Sequence, residues 1–272
     1  MKVQSLGYRT DLIIRDFEGS QIEDRGDHLV IRSPGNPDFW WGNFVLVPPL
    51  APGDVARWAD RFPAEFPGAE HVAIGVDSTD AAAPGQAELA AAGLDVERSV
   101  VLTAGPGELR LPRRPNAEAT YRALSGDADW EQALALRFAI SEGGPGGGDS
   151  EFNRARVATE RALTEAGRAT WQGAFLGGEL VAQMGIVADN TSGLARYQNV
   201  ETHPGFRQRG LAGTLTWHTG RAGLAALGGA GTLVIIADPD YVAISVYRSV
   251  GFTDLEWHTS LQRSQAEPGP EQ

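Results

Sequence analysis

The chain has 272 residues, 42% of them apolar, enough to bury its own core and, at about 150 residues per domain, to form two domains. Acidic residues outnumber basic ones 35 to 23, and the net charge of −12 repels phosphate backbones and anionic lipid heads, so neither nucleic acid nor membrane is expected as a partner. The absence of cysteine removes disulfides, thiolate nucleophiles and Cys-ligated metals.

Met1 to Asp16 is charged throughout and carries no apolar h-region, and no apolar run reaches the ~18 residues of a membrane span; a cytoplasmic globular protein is expected. The aromatic run Asn36 to Phe44, with Trp40 and Trp41 adjacent, is expected to pack between the two halves. His71 to Asp77 reads as a strand, Gln86 to Ala92 as a short helix stopped at Gly93-Leu94, and Val96 to Thr103 as a second strand. Ala104 to Pro115, with glycine and proline at both ends and three arginines, reads as a solvated seam. The expected domains are therefore 1–104 and 117–263, joined by a linker at 105–116 and followed by a polar tail at 264–272.

After the seam, Thr120 to Leu124 reads as a strand. Asp127 then offers an N-cap for a helix through Ser141, with Trp130, Leu134 and Phe138 in an i, i+4 row. The tract GGPGGG at 143–148 lacks the Gly-Lys-Ser/Thr ending of a phosphate-binding loop, which leaves a rim over a pocket or a plain linker. Glu151 to Ala166 is a second helix. Thr170 to Phe175 and Leu180 to Val187 are strands around a Gly177-Gly178 hairpin turn, and Leu194 to Thr202 is a third. A helix from about Arg209 to Leu227, a strand at Thr232 to Ala237, a helix at Val242 to Val250 and strands from Phe252 to Gln262 complete the order. The result is a mixed α/β sheet flanked by helices. The endings of the two halves share a strand–helix–glycine–strand order, as in two related domains.

The chemistry concentrates in Val200 to Leu215, where Arg207-Gln208-Arg209-Gly210-Leu211-Ala212 follows a strand and opens a helix. A helix start leaves backbone N–H groups without partners at the positive end of its dipole, which suits a pyrophosphate. Gly210 and Ala212 keep side-chain bulk away from such a ligand, and Arg207 and Arg209 add charge. This segment resembles the acyl-CoA-binding motif R/Q-x-x-G-x-G/A of the GNAT N-acetyltransferase superfamily. Asp240 to Phe252 is similar to that family's second signature, N-x-x-A-x-x-h-Y-x-x-x-G-F, with Asp240 where asparagine is common.

The resemblance covers Ala117 to Gln262 and implies the GNAT fold, with a degenerate GNAT-like domain before it that lacks the motif. It implies that the strand ending at Thr202 and the next strand splay apart around the thioester of acetyl-CoA, with backbone groups at Val200 and Thr202 on the pantetheine. Arg207, Gln208, Arg209, Gly210, Leu211, Ala212, Gly213 and Thr214 would hold the phosphates, and Asp240 would make a further contact. A primary amine on a small molecule or peptide would attack directly through a tetrahedral intermediate, with Tyr247 protonating the leaving thiolate. Glu201, the carboxylate on the splayed strand, is the candidate base, although strand alternation turns Glu201 and Thr202 to opposite sides unless a bulge intervenes. Other family members use positions held here by Arg196 and Gln198. The alternative is a module that binds acyl-CoA without turnover; a Rossmann-type site lacks its G-x-G-x-x-G. The five scattered histidines suggest no metal, and the expected assembly is a monomer or homodimer.

Overall fold

The computed structural model describes residues 1–37, 39–80, 82–141 and 150–263; the glycine tract at 143–148 and the tail at 264–272 lie outside the described residues. The chain divides into two compact units, Met1–Val101 together with the residues from Leu255, and Leu102–Asp254. The second domain, expected to run to 263, thus gives up most of its closing strand. The reason is backbone pairing: Thr259 to Arg263 run antiparallel to Val76 to Val72.

The first unit contains α1 (Leu6–Phe17), β1 (Gln21–Asp24), β2 (Leu29–Arg32), β3 (Phe44–Val47), α2 (Asp54–Glu65), β4 (Val72–Val76), α3 (Gln86–Ala92) and β5 (Asp95–Ala104). The closing strand, Thr253–Arg263, lies between β4 and β5. Strands β3 and β4 are parallel, while β1–β2 and β2–β3 are antiparallel. Strand β3 is buried on both faces, as an unbroken apolar run requires. Val45 and Val47 pack with Trp58 and Phe62 of α2, and Phe44 and Leu46 pack with Tyr8 of α1. The N–H groups of Gln4 and Ser5, just before α1, donate to the buried Asp77 carboxylate. The tryptophan pair, expected between the halves, packs inside this unit, Trp40 stacked on His71 and Trp41 against Phe44.

The second unit contains β6 (Thr120–Ala123), α4 (Gly126–Ser141), α5 (Ser150–Glu165), β7 (Ala169–Leu176), β8 (Glu179–Asp189), β9 (Leu194–Thr202), α6 (Leu211–Ala226), β10 (Thr232–Ala237) and α7 (Ala243–Ser249). Their sheet runs β10-β9-β8-β7-β6, parallel between β10 and β9 and antiparallel elsewhere. Gly177 and Gly178 both take positive φ, the backbone that closes a two-residue hairpin without splaying its strands. Two expectations are corrected. Helix α6 starts at Leu211 rather than Arg209, because Gln208 and Gly210 are left-handed and interrupt the helix there. In α4 the inward face is Trp130, Ala133, Leu136 and Arg137, whereas Leu134 and Phe138 are only half-buried. Among the described residues no helix is long and apolar enough to cross a membrane.

Candidate active site

Parallel pairing between β9 and β10 is confined to Leu194–Thr232, Ala195–Leu233 and Arg196–Val234. Beyond Arg196 the two strands part, and β9 continues to Thr202 paired with β8 alone. Val200, Glu201 and Thr202 therefore line an opening on the side away from β8. Within that stretch the β8–β9 register slips between Gln183 and Gly185, so that Asn199 and Val200 face Met184, and Asn199 has φ 42°. This is a β-bulge, with one extra residue on β9.

The bulge changes which side chains face which layer. Tyr197 reaches toward α6, its hydroxyl donating to the Thr216 carbonyl at 2.8 Å. In a regular strand Asn199 and Glu201 would follow it. Instead the Asn199 amide donates to Glu160 on α5, and Glu201 accepts from Arg137 on α4. Glu201 is thus turned from the α6 side to the α4–α5 side, and it joins a network that is closed at both carboxylate oxygens. Arg137 Nε donates to its Oε1 at 3.0 Å, while Arg137 Nη2 and Gln183 Nε2 donate to Oε2 at 3.3 and 2.6 Å.

The helix start lies at the other end of the same loop. Arg207 is extended, Gln208 and Gly210 are left-handed, and Arg207 through Gly210 are exposed. Alternating backbone of this kind turns successive N–H groups toward one concavity, and the first turn of α6, Leu211 to Gly213, adds its own outward-pointing donors. The Thr214 N–H is already inside the helix, donating to the Gly210 carbonyl at 3.2 Å. Arg209 stacks over Phe206, and Arg207 Nε lies 3.4 Å from the Thr202 carbonyl, which ties the loop to the end of β9.

The glycine at 210 has a different cause from the one expected. A Cβ there would lie 2.9 Å from the Arg114 carbonyl oxygen, on a backbone with φ 76°, so the seam and not a ligand excludes the side chain. Likewise the Thr214 hydroxyl is occupied, donating to the Gly210 carbonyl and accepting the Asn116 N–H. The seam is exposed along most of its length, as expected, yet it is tied down at both ends. Asn116 Nδ2 donates to the Arg209 carbonyl, and the Arg110 N–H donates to the Val250 carbonyl after α7.

Tyr247 sits on α7, 5% exposed, and burial, helped by Tyr241, pushes its phenol up to about 12. It stays protonated at neutral pH and so can donate. Tyr197, at the point where β9 leaves β10, is pushed up by burial and then by the Tyr247 phenol. Asp240 is exposed in the turn before α7, its N–H bound to Asp238 Oδ1.

Composition and motif reasoning missed the residues around Glu201. Arg137 and Glu160 are 5% and 2% exposed, and Gln183 is fully buried. The available signal was charge at core positions: Glu160 follows Val157 and precedes Leu163 on one buried helical row, and Arg137 follows Ala133 and Leu136. Among the described residues no group of three or more His, Cys, Asp or Glu side chains is arranged to hold a metal.

No protein-family model matches the sequence, and no curated protein is significantly similar to it. Solved structures are similar in fold. A functionally unknown conserved protein from Staphylococcus epidermidis has TM-score 0.71 at 10% identity, covering 89% of this chain and 92% of that one. A GCN5-related N-acetyltransferase from Kribbella flavida has TM-score 0.65 at 17% identity, covering 97% of each chain. A tandem GNAT protein from the clavulanic acid biosynthesis pathway has TM-score 0.55 at 18% identity, covering 93% of this chain and 85% of that one. The fold is that of the GCN5-related N-acetyltransferases, an acyl-transfer fold. One of these neighbours is a tandem GNAT protein, and the first unit of this chain carries no R-x-x-G-x-G/A sequence.

Proposed function

We propose that the chain transfers an acetyl group from acetyl-CoA to a primary amine on a small molecule or peptide. The observation that carries this reading is the parting of β9 from β10 after Arg196, with the exposed loop and start of α6 following the end of β9. The donors and shape suit acetyl-CoA. The exposed loop Arg207 to Gly210 and the N–H groups of Leu211 to Gly213 would hold its diphosphate, with Arg207 and Arg209 supplying charge in an acidic protein. Backbone groups at Val200 and Thr202 would hold the pantetheine arm. Bound there, acetyl-CoA supplies an activated acyl group, and fixed N–H donors stabilise the charge that develops on its carbonyl oxygen. The Tyr247 phenol, protonated across the physiological range, hands its proton to the departing thiolate. The assembly is a monomer or homodimer.

Glu201 fits the role of free base poorly, because Arg137 and Gln183 hold both its oxygens. That observation favours, as a second reading, an acyl-CoA-binding module without turnover. Calorimetric titration of the full chain with acetyl-CoA tests both readings, and thiol release in the presence of primary amines separates them. Absence of acetyl-CoA binding defeats both, and binding without thiol release leaves the second.

A further inference from the structure

The first unit holds a cavity of about 780 Å³ that the acyl-transfer site does not use, a volume within the range of small-ligand pockets. It lies between the loop from β2 to β3 and the turn from α2 to β4, and Arg32, Trp40, Asn43, Glu65, Phe66 and His71 line it. The loop wall is held by one buried side chain. Asn43 Oδ1 accepts the Ser33 N–H at 3.0 Å, and its Nδ2 donates to the carbonyls of Asn36, Pro37 and Phe39. His71, 6% exposed, is fixed as firmly. Its Nε2 lies 2.9 Å from the Asn43 carbonyl, which can only accept, so Nε2 carries the hydrogen. Trp40 stacks on the imidazole with 5.5 Å between ring centres and 10° between planes, and Phe62 meets it edge-on. A neutral imidazole with Nε2–H keeps a lone pair on Nδ1, and here Nδ1 has no partner among the described residues. A preformed acceptor therefore stands at a cavity with an indole beside it.

Charge and shape narrow the ligand. Arg32 pairs with Glu23 and Glu65, and Arg25 pairs with the same two carboxylates. Asp27 and Arg61, further out, offset each other. Glu70 adds another carboxylate at the rim, so the surroundings stay acidic with these arginines counted. Glu65 Oε1 is 3.7 Å from His28 Nε2, beyond hydrogen-bond reach, and is a second acceptor. An anion meets repulsion here, and a ligand without a donor leaves His71 Nδ1 unpaired. Phe66 is covered by Phe62 at 4.8 Å and by Arg32 at 5.2 Å, which leaves Trp40 as the aromatic face for a ligand. Near-parallel rings with centres 5.5 Å apart are offset, so His71 covers only part of the indole. We infer that this cavity binds a flat nitrogen heterocycle, uncharged or cationic, that stacks on Trp40 and donates a ring N–H to His71 Nδ1. The residues lie wholly in the first unit, so the site goes beyond the acetyl-transfer reading and stands or falls without it.

The test follows amide and indole N–H signals of the full chain by two-dimensional NMR during titration with indole and with benzimidazole. Each is matched by its 1-methyl form, and indole-3-carboxylate is the anion. At least one parent heterocycle should bind by about 5 mM and shift the signals of Trp40 Nε1–H, Asn43, Gly68 and His71. Its 1-methyl form keeps the ring and loses the donor, and it should bind about fivefold more weakly or worse. The carboxylate should leave those signals in place. His71→Phe keeps a ring against Trp40 and removes Nδ1, so parent and 1-methyl form should then bind within about twofold of each other. The wild-type comparison stands even if that variant folds poorly. Failure of both heterocycles to shift these signals, shifts confined to other residues, or equal binding of a parent and its 1-methyl form each overturns the site. So does binding of the carboxylate as tight as that of indole, or discrimination against the methyl form that survives in the folded variant.

Discussion

Replacing Arg137 with methionine separates a network held by charge from one held by packing. Methionine keeps much of the unbranched side-chain volume on the inner face of α4 and removes the guanidinium that bridges Glu160 and Glu201. Removing one partner of a buried ion pair costs about 3–5 kcal/mol, because the remaining charge is stranded. Two carboxylates are stranded here, but Glu160 can escape by binding a proton. Glu160 is already raised by burial, and its attraction to Arg137 is the largest influence holding it down. A carboxyl whose folded value lies above its unfolded value adds stability below the unfolded value and loses it as pH rises through the folded value. Without Arg137 that folded value climbs, so the loss reaches further toward neutral pH. Each pH unit in that window is worth about 1.4 kcal/mol. The expected destabilisation is therefore about 3–5 kcal/mol near pH 8 and smaller near pH 5.5. Urea unfolding followed by circular dichroism at the two pH values measures both numbers. A loss below about 1 kcal/mol at the higher pH, or the same loss at both, would refute the account of Arg137 as the counter-ion of a buried acidic pair.

Four further outcomes follow from particular contacts. Tyr247→Phe should lower acetyl transfer by about a hundredfold or more with acetyl-CoA affinity within about twofold, and an unchanged rate removes Tyr247 from the proton-donor role. Since its phenol titrates only at about 12, transfer activity should show no loss assignable to Tyr247 below about pH 11 in a rate profile. Gly185→Ala would bring a Cβ to 2.5 Å from the Trp171 indole, between β8 and β7, and should destabilise by about 1–3 kcal/mol in the same urea assay. Gly210→Ala combines a left-handed backbone with a contact of 2.9 Å to the Arg114 carbonyl; it should cost about 1–2 kcal/mol and weaken acetyl-CoA as the first turn of α6 shifts.

The elements most legible in the sequence were those in which one local cause acts alone. Strand β10 is a continuous apolar run, the β7–β8 hairpin has two glycines at its turn, and β9 ends at Thr202 before a proline. Most of the first unit was not read, although Phe44 to Val47 is as apolar as β10; a run of four residues carries too little length to distinguish it from a turn of buried helix. The start of α6 was placed two residues early because Gln208 has no sequence mark of a left-handed backbone and Gly210 tolerates one without requiring it, and only their geometry interrupts the helix. The seam was read as solvated from its prolines and arginines. What tethers it, the Asn116 N–H to Thr214, the Asn116 side chain to Arg209 and the Arg110 N–H to Val250, involves partners 93 or more positions away, which local composition cannot report.

The candidate site shows the limit more sharply. The resemblance picked out Tyr247 and the loop before α6, because those functions depend on residue type at fixed spacing along the chain. The surroundings of Glu201 depend on a parity that one inserted residue reverses. Read as a regular strand, β9 sends Tyr197, Asn199 and Glu201 to one face, and Glu201 would stand with Tyr197 toward α6. With the bulge at Asn199, Tyr197 keeps that face while Asn199 and Glu201 cross to α4 and α5, and there they meet Glu160 and Arg137. No local feature announces the bulge, since asparagine tolerates a positive φ without requiring it. What it accomplishes is a separation of tasks within a few residues of one strand: a buried phenol at the opening on one side, and a charged, donor-poor cluster on the other. A substitution that restored regular pairing at Asn199 would be felt first at Glu201, by turning its carboxylate away from Arg137 and leaving Glu160 as that guanidinium's only buried partner.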